Sequence, residues 1–303
     1  MRLRLLHLLF FISVNFIYSQ STNDYRTVAS GNWTNVAIWE VYNGTAWVAA
    51  TNYPGQAGNT TNDVTIGNGV TVTINSAIPD PINSVTLGDR TGGIDTLLIG
   101  NTASLNTTSQ FTIAYDGLLN WTVNKTFSLP AGTAFAVESP NPDPSLTLGV
   151  DHGIFENTSA CSASKILQIG STKYATCNGS GGSGVQTFNT VNNEGGNLSV
   201  FPTATPDPAC ANQVLQLNAN PGGTEVNDTP LTFSWTATAP SGYSFSSSVE
   251  NPTDTPPNPG TYTYEVTVTN NSGLSSTGSV TVIVENCNKT IITNRRITFR
   301  VKN

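Results

Sequence analysis

The chain has few charged residues, since Asp, Glu, Lys and Arg make up only 10% of its 303 residues. An average soluble protein has about 25%. Acidic residues outnumber basic ones by nineteen to twelve, giving a formal net charge of −7. Because binding phosphates requires a cationic surface, we exclude nucleic acid as a partner. Uncharged Thr, Asn, Ser and Gly must provide the polar surface, and these residues favour turns and exposed sheets.

Long apolar runs are also scarce, and the longest extends from Leu5 to Ile17. Arg2 and Arg4 precede this run and Ser19 follows it, which is the order of parts in a secretory signal peptide. A run of about thirteen residues is too short to cross a hydrocarbon layer of roughly 30 Å. We therefore predict a signal peptide over residues 1–19, no transmembrane segment, and a location outside the cell or on its outer surface.

Histidine is nearly lacking, because His152 is the one histidine beyond the predicted signal peptide. A Ser-His-Asp device or a histidine metal centre would have to use it. It lies beside Asp151 in a turn-rich stretch, which is typical of a solvated loop histidine. We predict neither a catalytic residue nor a metal-binding residue.

Carboxylates are the one catalytic device that the composition permits, since a glycosidase needs only two of them. They occur singly beside turn residues, which indicates that they form turns; examples are Asp63, Asp89, Asp95, Asp116 and Glu138. We predict no cofactor. Calcium stays possible, because residues 140–144 and Asp151 carry oxygen ligands, although without the spacing of a known calcium loop.

The four cysteines lie in a chain that we expect to be exported, where thiols oxidise to disulfides. Four cysteines allow three connectivities. Proximity in sequence favours Cys161 with Cys177 and Cys210 with Cys287. A metal site is disfavoured, because no two cysteines are close together and no histidine is near them.

Short runs of β-branched residues with alternating polarity, separated by Gly, Asn, Asp or Pro, fill residues 63–137. Such runs predict strands, and no stretch beyond residue 20 has an apolar period of 3.6 residues over eleven positions. We predict an all-β protein. The spacing of the runs fits either a sandwich or a few stacked coils of a β-helix.

The N-terminal part resembles a known group of proteins. The segments SGNWTNVAIWE (residues 30–40), YPG (53–55) and NDVTIGNGVTVTI (62–74) are similar to the N-terminal region of Bacteroidota cell-surface proteins. In those proteins a Trp-rich cap leads into stacked β-coils. The resemblance implies surface display and a β-helix-like module over residues 20–199.

The same region holds five aromatic residues that are candidate ligand-binding residues: Trp33, Trp39, Trp47, Tyr42 and Tyr53. They could form a platform on which sugar rings stack, or they could cap the open end of the first coil. If Trp33 and Trp39 lie in one strand, their spacing of six residues places them on the same face.

A second module is predicted over residues 210–287, after a Pro/Thr-rich linker at residues 200–209. The segments LTFSWTA (231–237) and PGTYTYEVTVTNNSG (259–273) resemble PKD and PKD-like domains. This implies a small immunoglobulin-like β-sandwich with Trp235 in its core. The Asp-Phe-Gly-Asp-Gly turn of that family is replaced by Thr236-Ala237-Thr238.

The basic tail, residues 288–303, is either an edge strand whose charges deter aggregation or a sorting signal. In position it resembles the C-terminal signals read by the type IX secretion system of Bacteroidota. The whole sequence indicates a secreted or surface-displayed binding or adhesion protein, for an extracellular glycan or another surface component such as a protein. The alternative is a small carbohydrate-active enzyme or its non-catalytic binding subunit.

Overall fold

The structure, a computed structural model, describes residues 20–139, 141–156, 165–176 and 185–287, without the side chain of Ser241. The predicted signal peptide, the predicted Cys161–Cys177 bridge and the basic tail lie outside the described residues. Across the part described, the protein is built from strands, which confirms the all-β prediction.

In the part that the structure describes, the first module holds sixteen strands and one short helix. They are β1 (Tyr25–Thr27), β2 (Gly31–Asn32), β3 (Trp39–Tyr42), β4 (Trp47–Ala49), β5 (Thr61–Ile66), β6 (Thr71–Ile74), β7 (Ala77–Leu87), β8 (Asp95–Ile99), β9 (Ala103–Ile113), β10 (Gly117–Trp121), β11 (Thr126–Leu129), β12 (Ala134–Val137), β13 (Gly153–Ile154), β14 (Ile166–Ile169), β15 (Thr172–Ala175), β16 (Gln186–Thr187) and α1 (Phe188–Glu194). A 3-10 turn (Val36–Ile38) lies between β2 and β3. Within the described residues no helix is long and apolar enough to span a membrane.

Parallel pairing between successive strands arranges the first module in stacked coils. On one face, Val64, Val85, Phe111 and Phe135 are partners in turn along β5, β7, β9 and β12. Along these four strands a coil therefore takes 21 to 26 residues. A second face is β2, β6, β8, β10 and β13, and the third joins the first parts of β7 and β9 to β11 and β14. This is β-helix geometry, so the register decides between the two architectures that strand spacing left open.

The core runs along the inside of the coils, where every second residue of a strand is buried. Phe111 stacks on Phe135 with ring centroids 5.3 Å apart and meets Phe127 edge to face at 6.0 Å. Stacked aromatic side chains from successive coils bury large apolar areas and therefore stabilise the column.

Helix α1 follows the last strand of the coils and packs against their core through Phe188 and Val191. The sequence patterns did not predict this helix. Its seven residues are too few for an apolar period to be read. The signals it does carry are at its ends: Thr187 accepts a hydrogen bond from the backbone N–H of Thr190, and Gly195 closes the helix in the left-handed region. The helix places Phe188 on Trp121, with ring centroids 5.0 Å apart.

The second module is a β-sandwich of ten strands. They are β17 (Ser199–Val200), β18 (Thr203–Thr205), β19 (Ala209–Cys210), β20 (Leu215–Asn218), β21 (Pro221–Gly222), β22 (Thr232–Thr238), β23 (Ser246–Ser247), β24 (Thr253–Asp254), β25 (Gly260–Thr269) and β26 (Ser275–Glu285). A 3-10 turn (Pro240–Gly242) follows β22. One sheet has the order β18-β20-β24 and the other β19-β26-β25-β22-β23, while β17 pairs with β21.

Two predictions for the sandwich are confirmed. Trp235 is only 1% exposed and its indole N–H donates to the carbonyl of Glu250. Cys210 and Cys287 form a disulfide with their Cα atoms 5.4 Å apart. The bridge ties β19 to the end of β26, which are paired strands of the larger sheet.

The prediction of a stiff, extended linker at residues 200–209 is wrong. The segment contains β18 and parts of β17 and β19, all of them paired with other strands, and both Val200 and Ala209 are buried. Proline is compatible with edge strands and strand starts. A Pro/Thr-rich composition therefore does not distinguish a linker from the first edge strands of a sandwich.

The two modules are joined by hydrogen bonds as well as by the chain. The side chain of Gln110 in β9 accepts from the backbone N–H of Thr277 at 2.9 Å and donates to its carbonyl at 3.2 Å. Asn197 accepts from the backbone N–H of Phe135 at 2.8 Å. The sandwich thus lies against β9 and β12 of the coils.

Candidate functional site

Trp33 and Trp39 are core residues, so the proposal that they form a sugar platform is wrong. Each is only 1% exposed. Their rings meet edge to face at 5.1 Å, and their indole N–H groups donate to the carbonyls of Pro54 and Trp33. They do not share a strand, because the 3-10 turn separates them. Both rings belong to the hydrophobic core of the coils, which agrees with a packing role rather than with sugar binding.

Trp47 and Tyr42 lie on the other face of the β3–β4 hairpin and are half-buried. They are cross-strand partners with ring centroids 5.5 Å apart. The guanidinium of Arg26 sits over the Trp47 ring at 4.5 Å and is held by Glu40 at 2.7 Å. A cation over the indole and an ion pair behind it fix the orientation of Trp47. We call the outer face of this hairpin, which carries Trp47 and Tyr42, the aromatic platform.

Tyr53 is not part of the platform. Its side chain is half-buried and packs against the core of the coils. Its backbone N–H donates to the side chain of Gln56 within the same loop. Of the five aromatic candidates, the structure therefore brings Trp47 and Tyr42 together at the surface and assigns Trp33, Trp39 and Tyr53 to the core.

A strip of polar side chains continues from the aromatic platform across the outer face of β5 and β7. One row pairs Arg26 with Thr65 and then Thr86, and a second row pairs Asp63 with Ser84. These side chains are half-buried, and the alternate residues of the same strands are interior. The rows end at Thr112 and Gln110 of β9, where the sandwich begins. We call this strip the polar floor.

A second feature, at one corner of the coils, is a group of three aspartates. Asp89 lies in the turn after β7, Asp95 begins β8, and Asp116 lies in the turn before β10. Carboxylate oxygens from all three lie within 4.8 Å of one another. No other group of three or more His, Cys, Asp or Glu side chains within the described chain is this close. From the sequence, these aspartates were expected to lie singly in separate turns.

Two members of this aspartate cluster are buried. Asp95 is 0% exposed and Asp116 is 4% exposed, while Asp89 is half-buried. Burial is the main reason that the pKa of Asp95 is raised to about 7 and that of Asp116 to about 6. The charge of Asp89 raises both pKa values further.

Hydrogen bonds satisfy only part of the cluster. One oxygen of Asp95 accepts from the backbone N–H of Val70, and Asp89 accepts from the backbone N–H groups of Asn68 and Thr91. The second oxygen of Asp95 and both oxygens of Asp116 have no hydrogen-bond partner among the described residues. Native proteins rarely leave buried polar atoms in this state.

Glycine makes room for these carboxylates. A Cβ at Gly88 would lie 2.2 Å from a carboxylate oxygen of Asp116, and one at Gly67 would lie 2.6 Å from a carboxylate oxygen of Asp89. Gly88 also has a φ of +101°, which L side chains rarely adopt. The local sequence therefore keeps the space that the aspartate cluster fills.

His152 is buried, so the prediction of a solvated loop histidine is wrong. It is 2% exposed, its Nδ1 has no partner among the described residues, and burial lowers its pKa.

Calcium stayed possible from the sequence at residues 140–144 and Asp151, but the described carboxylates there do not come together as a set of metal ligands. Asp143 caps its own turn by accepting from Ser145, and Asp151 accepts from the backbone N–H of Thr147.

Two grooves formed by the described residues do not bring two carboxylates together. One of about 210 Å³ lies between α1, β12 and β21 and has a single carboxylate, that of Glu194. Another of about 350 Å³ crosses β7, β9 and β11 and is lined by apolar, Ser and Asn residues. A glycosidase needs two accessible carboxyl groups about 5 to 9.5 Å apart.

No protein-family model and no curated protein matches the chain. Among solved structures, it is similar to a carbohydrate-binding module of the β-sandwich superfamily, with 25% identity and a TM-score of 0.26. That match covers 30% of this chain and 35% of the other. The chain is also similar to chitinase ChiW from Paenibacillus sp. str. FPU-7, a cell-surface-expressed multi-modular enzyme, with 14% identity and a TM-score of 0.21. That match covers 73% of this chain but only 18% of the chitinase. At these TM-scores neither similarity carries an argument about function.

Proposed function

We propose that the chain is a non-catalytic glycan-binding protein that acts outside the cell, with the aromatic platform and the polar floor as its binding surface. The observation that carries the proposal is the continuity of the two. Trp47 and Tyr42 stand at one side of the floor, and Arg26 belongs to both. The sandwich stands at the other side, where Gln110 contacts Thr277.

The chemistry of this surface matches that of a sugar. A pyranose ring has an apolar C–H face, which packs on an aromatic ring, and a rim of hydroxyl groups, which need hydrogen-bond partners. The aromatic platform supplies the first, and the Thr, Ser and Asp side chains of the polar floor supply the second. Because Arg26 holds the Trp47 ring in place, little side-chain entropy is lost on binding.

The charge of the protein favours a neutral glycan. The chain has a net charge of −7, and Glu40 and Asp63 lie on the binding surface. The Glu40 carboxylate holds Arg26, and Asp63 accepts from Ser84 and Asn83. An anionic polysaccharide would meet like charge here, which is unfavourable.

Two features support the rest of the proposal. The Cys210–Cys287 disulfide fits an oxidising compartment outside the cytosol. For binding without catalysis, the support is that two of the three clustered aspartates, Asp95 and Asp116, are buried and that the two grooves lack a carboxylate pair.

The test is a glycan array followed by calorimetry on the neutral glycans that bind. Removing the Trp47 ring should weaken binding by about 10-fold or more, as is usual for a central aromatic contact. The matched control is Val48→Ala, because Val48 is the next residue of the same strand, is 39% exposed and faces the opposite way. It should bind like the unmodified protein.

Two results would refute the proposal. If Trp47→Ala binds every neutral glycan as tightly as the Val48→Ala control, the aromatic platform is not the site. If the unmodified protein cleaves a polysaccharide, and one Asp or Glu substitution abolishes the turnover, the protein is a carbohydrate-active enzyme.

A further inference from the structure

The aspartate cluster carries an inference that is independent of glycan binding. We propose that Asp89, Asp95 and Asp116 bind one divalent cation, calcium, at the corner of the coils. Carboxylates of the three residues converge to within 4.8 Å. Two of the residues are more than nine-tenths buried, and three of their four oxygens have no partner among the described residues.

The electrostatics call for a positive charge at this point. Burying an ionised carboxylate without a partner is costly, and bringing three together adds mutual repulsion. Arg90 lies in the same turn as Asp89, and its charge lowers the pKa of Asp116, but its Nε donates to Glu138 at 2.9 Å. A cation between the three carboxylates would supply the missing partner for the unpaired oxygens.

The ligand set favours calcium over other common ions. Three carboxylates without Cys are a hard oxygen site, which suits calcium or magnesium better than zinc. Calcium binds oxygens at about 2.3–2.6 Å, so opposite ligands are about 4.6–5.2 Å apart. Three oxygens within 4.8 Å of one another share a point that is at most about 2.8 Å from each, so a movement of a few tenths of an ångström brings all three into contact with one calcium ion. Magnesium needs an octahedral shell at about 2.0–2.1 Å and keeps several waters, so it is bound less readily by a set of three protein carboxylates.

The position gives the ion a structural role. The ligands come from two successive turns of the coils, and Asp89 also accepts from the backbone N–H of Asn68 in the preceding one. Because each coil contacts only its neighbours, an ion shared by these turns would tie three coils together. We therefore expect calcium to stabilise the first module.

Thermal unfolding of the full-length chain in EDTA, in CaCl₂ and in MgCl₂ tests this proposal. Calcium at a hundredfold excess over its dissociation constant should raise the unfolding temperature of the first module by about 5–10 °C, and magnesium should raise it less. Asp116→Asn and Asp95→Asn should lose the shift. In EDTA these variants should unfold at the same temperature as the unmodified protein or higher, because they remove buried charge.

The control is Asp143→Asn, which alters an exposed aspartate in the stretch where the sequence left calcium possible. It should keep the full shift. Should either buried variant fail to fold, Asp89→Asn gives the same test from a half-buried position. The proposal is overturned if calcium leaves the unmodified protein unchanged in both unfolding and calorimetry. It is also overturned if Asp143→Asn, and not the cluster variants, loses the shift.

Discussion

Removing the Cys210–Cys287 bridge should destabilise the sandwich mainly through its unfolded state. The two cysteines are 77 residues apart, and the chain-entropy relation for a loop of that length gives about 4.5 kcal/mol at 25 °C. Cys287 is exposed and Cys210 half-buried, so replacing both by Ser creates little cavity. A small domain has about 5–15 kcal/mol in total, so the Cys210→Ser/Cys287→Ser variant should be only marginally stable.

Hydrogen exchange of the backbone amides of β25 is the appropriate assay, because this strand is central in the larger sheet and pairs on both sides. A loss of about 4.5 kcal/mol corresponds to roughly a thousandfold faster exchange through global opening of the sandwich. The urea m-value should rise as well, since the unfolded chain without its cross-link exposes more surface.

A reductant provides the control. It should accelerate exchange in β25 of the unmodified protein and leave the double Ser variant unchanged, which separates this bridge from any effect of Cys161 and Cys177. Exchange that rises less than tenfold in the double variant would refute the entropic reasoning.

The remaining predictions concern the core, one buried histidine and the tail. Trp235→Ala should cost about 3–5 kcal/mol, because it empties a site that is 1% exposed and leaves the Glu250 carbonyl without its donor; a shift of one or two degrees in sandwich unfolding would show that the side chain is not a core element. His152 is held neutral by burial, with a pKa below its ordinary 6.5, so it favours the folded state above pH 6.5 and this stability is lost as the pH falls through and below that value. His152→Gln should therefore flatten the dependence of unfolding free energy on pH between 7 and 5, and an unchanged slope would contradict this. Deleting residues 288–303 should leave the sandwich folded, because its bridge precedes the cut, but should reduce the protein at the cell surface and in the medium; cell fractionation that finds an unchanged distribution would exclude a sorting role.

Local patterns were enough to predict the strands of residues 63–137, the longer strands of the sandwich and its core. Alternation along β8 and β25 places their buried residues correctly, and the Trp235 position follows from the Ig-like resemblance. Proximity in sequence also gave the Cys210–Cys287 pair. These features depend on neighbouring residues or on a known motif, so a single sequence carries them.

Features that depend on register were not predictable. Trp33 and Trp47 come from the same short segment, yet one is enclosed and the other is half-exposed, because the 3-10 turn and the hairpin reverse the direction of the chain between them. The aspartate cluster needs Asp95 and Asp116, 21 residues apart, to meet at one corner. That spacing equals the shortest coil, so it indicates that the two aspartates lie one above the other. The spacing is informative only after the coil length is known.

The stacking of the coils has a consequence for how such a binding surface could change size. Neighbouring strands are about 4.8 Å apart, and only β5 and β7 lie between β1, which carries Arg26, and β9, which contacts the sandwich. Duplicating or deleting one coil between them would widen or narrow the polar floor by one strand, which is about the breadth of one sugar ring. The aromatic platform on one side of the floor and the sandwich on the other would stay unchanged. The number of coils would then set the length of the glycan that the proposed binding surface accommodates.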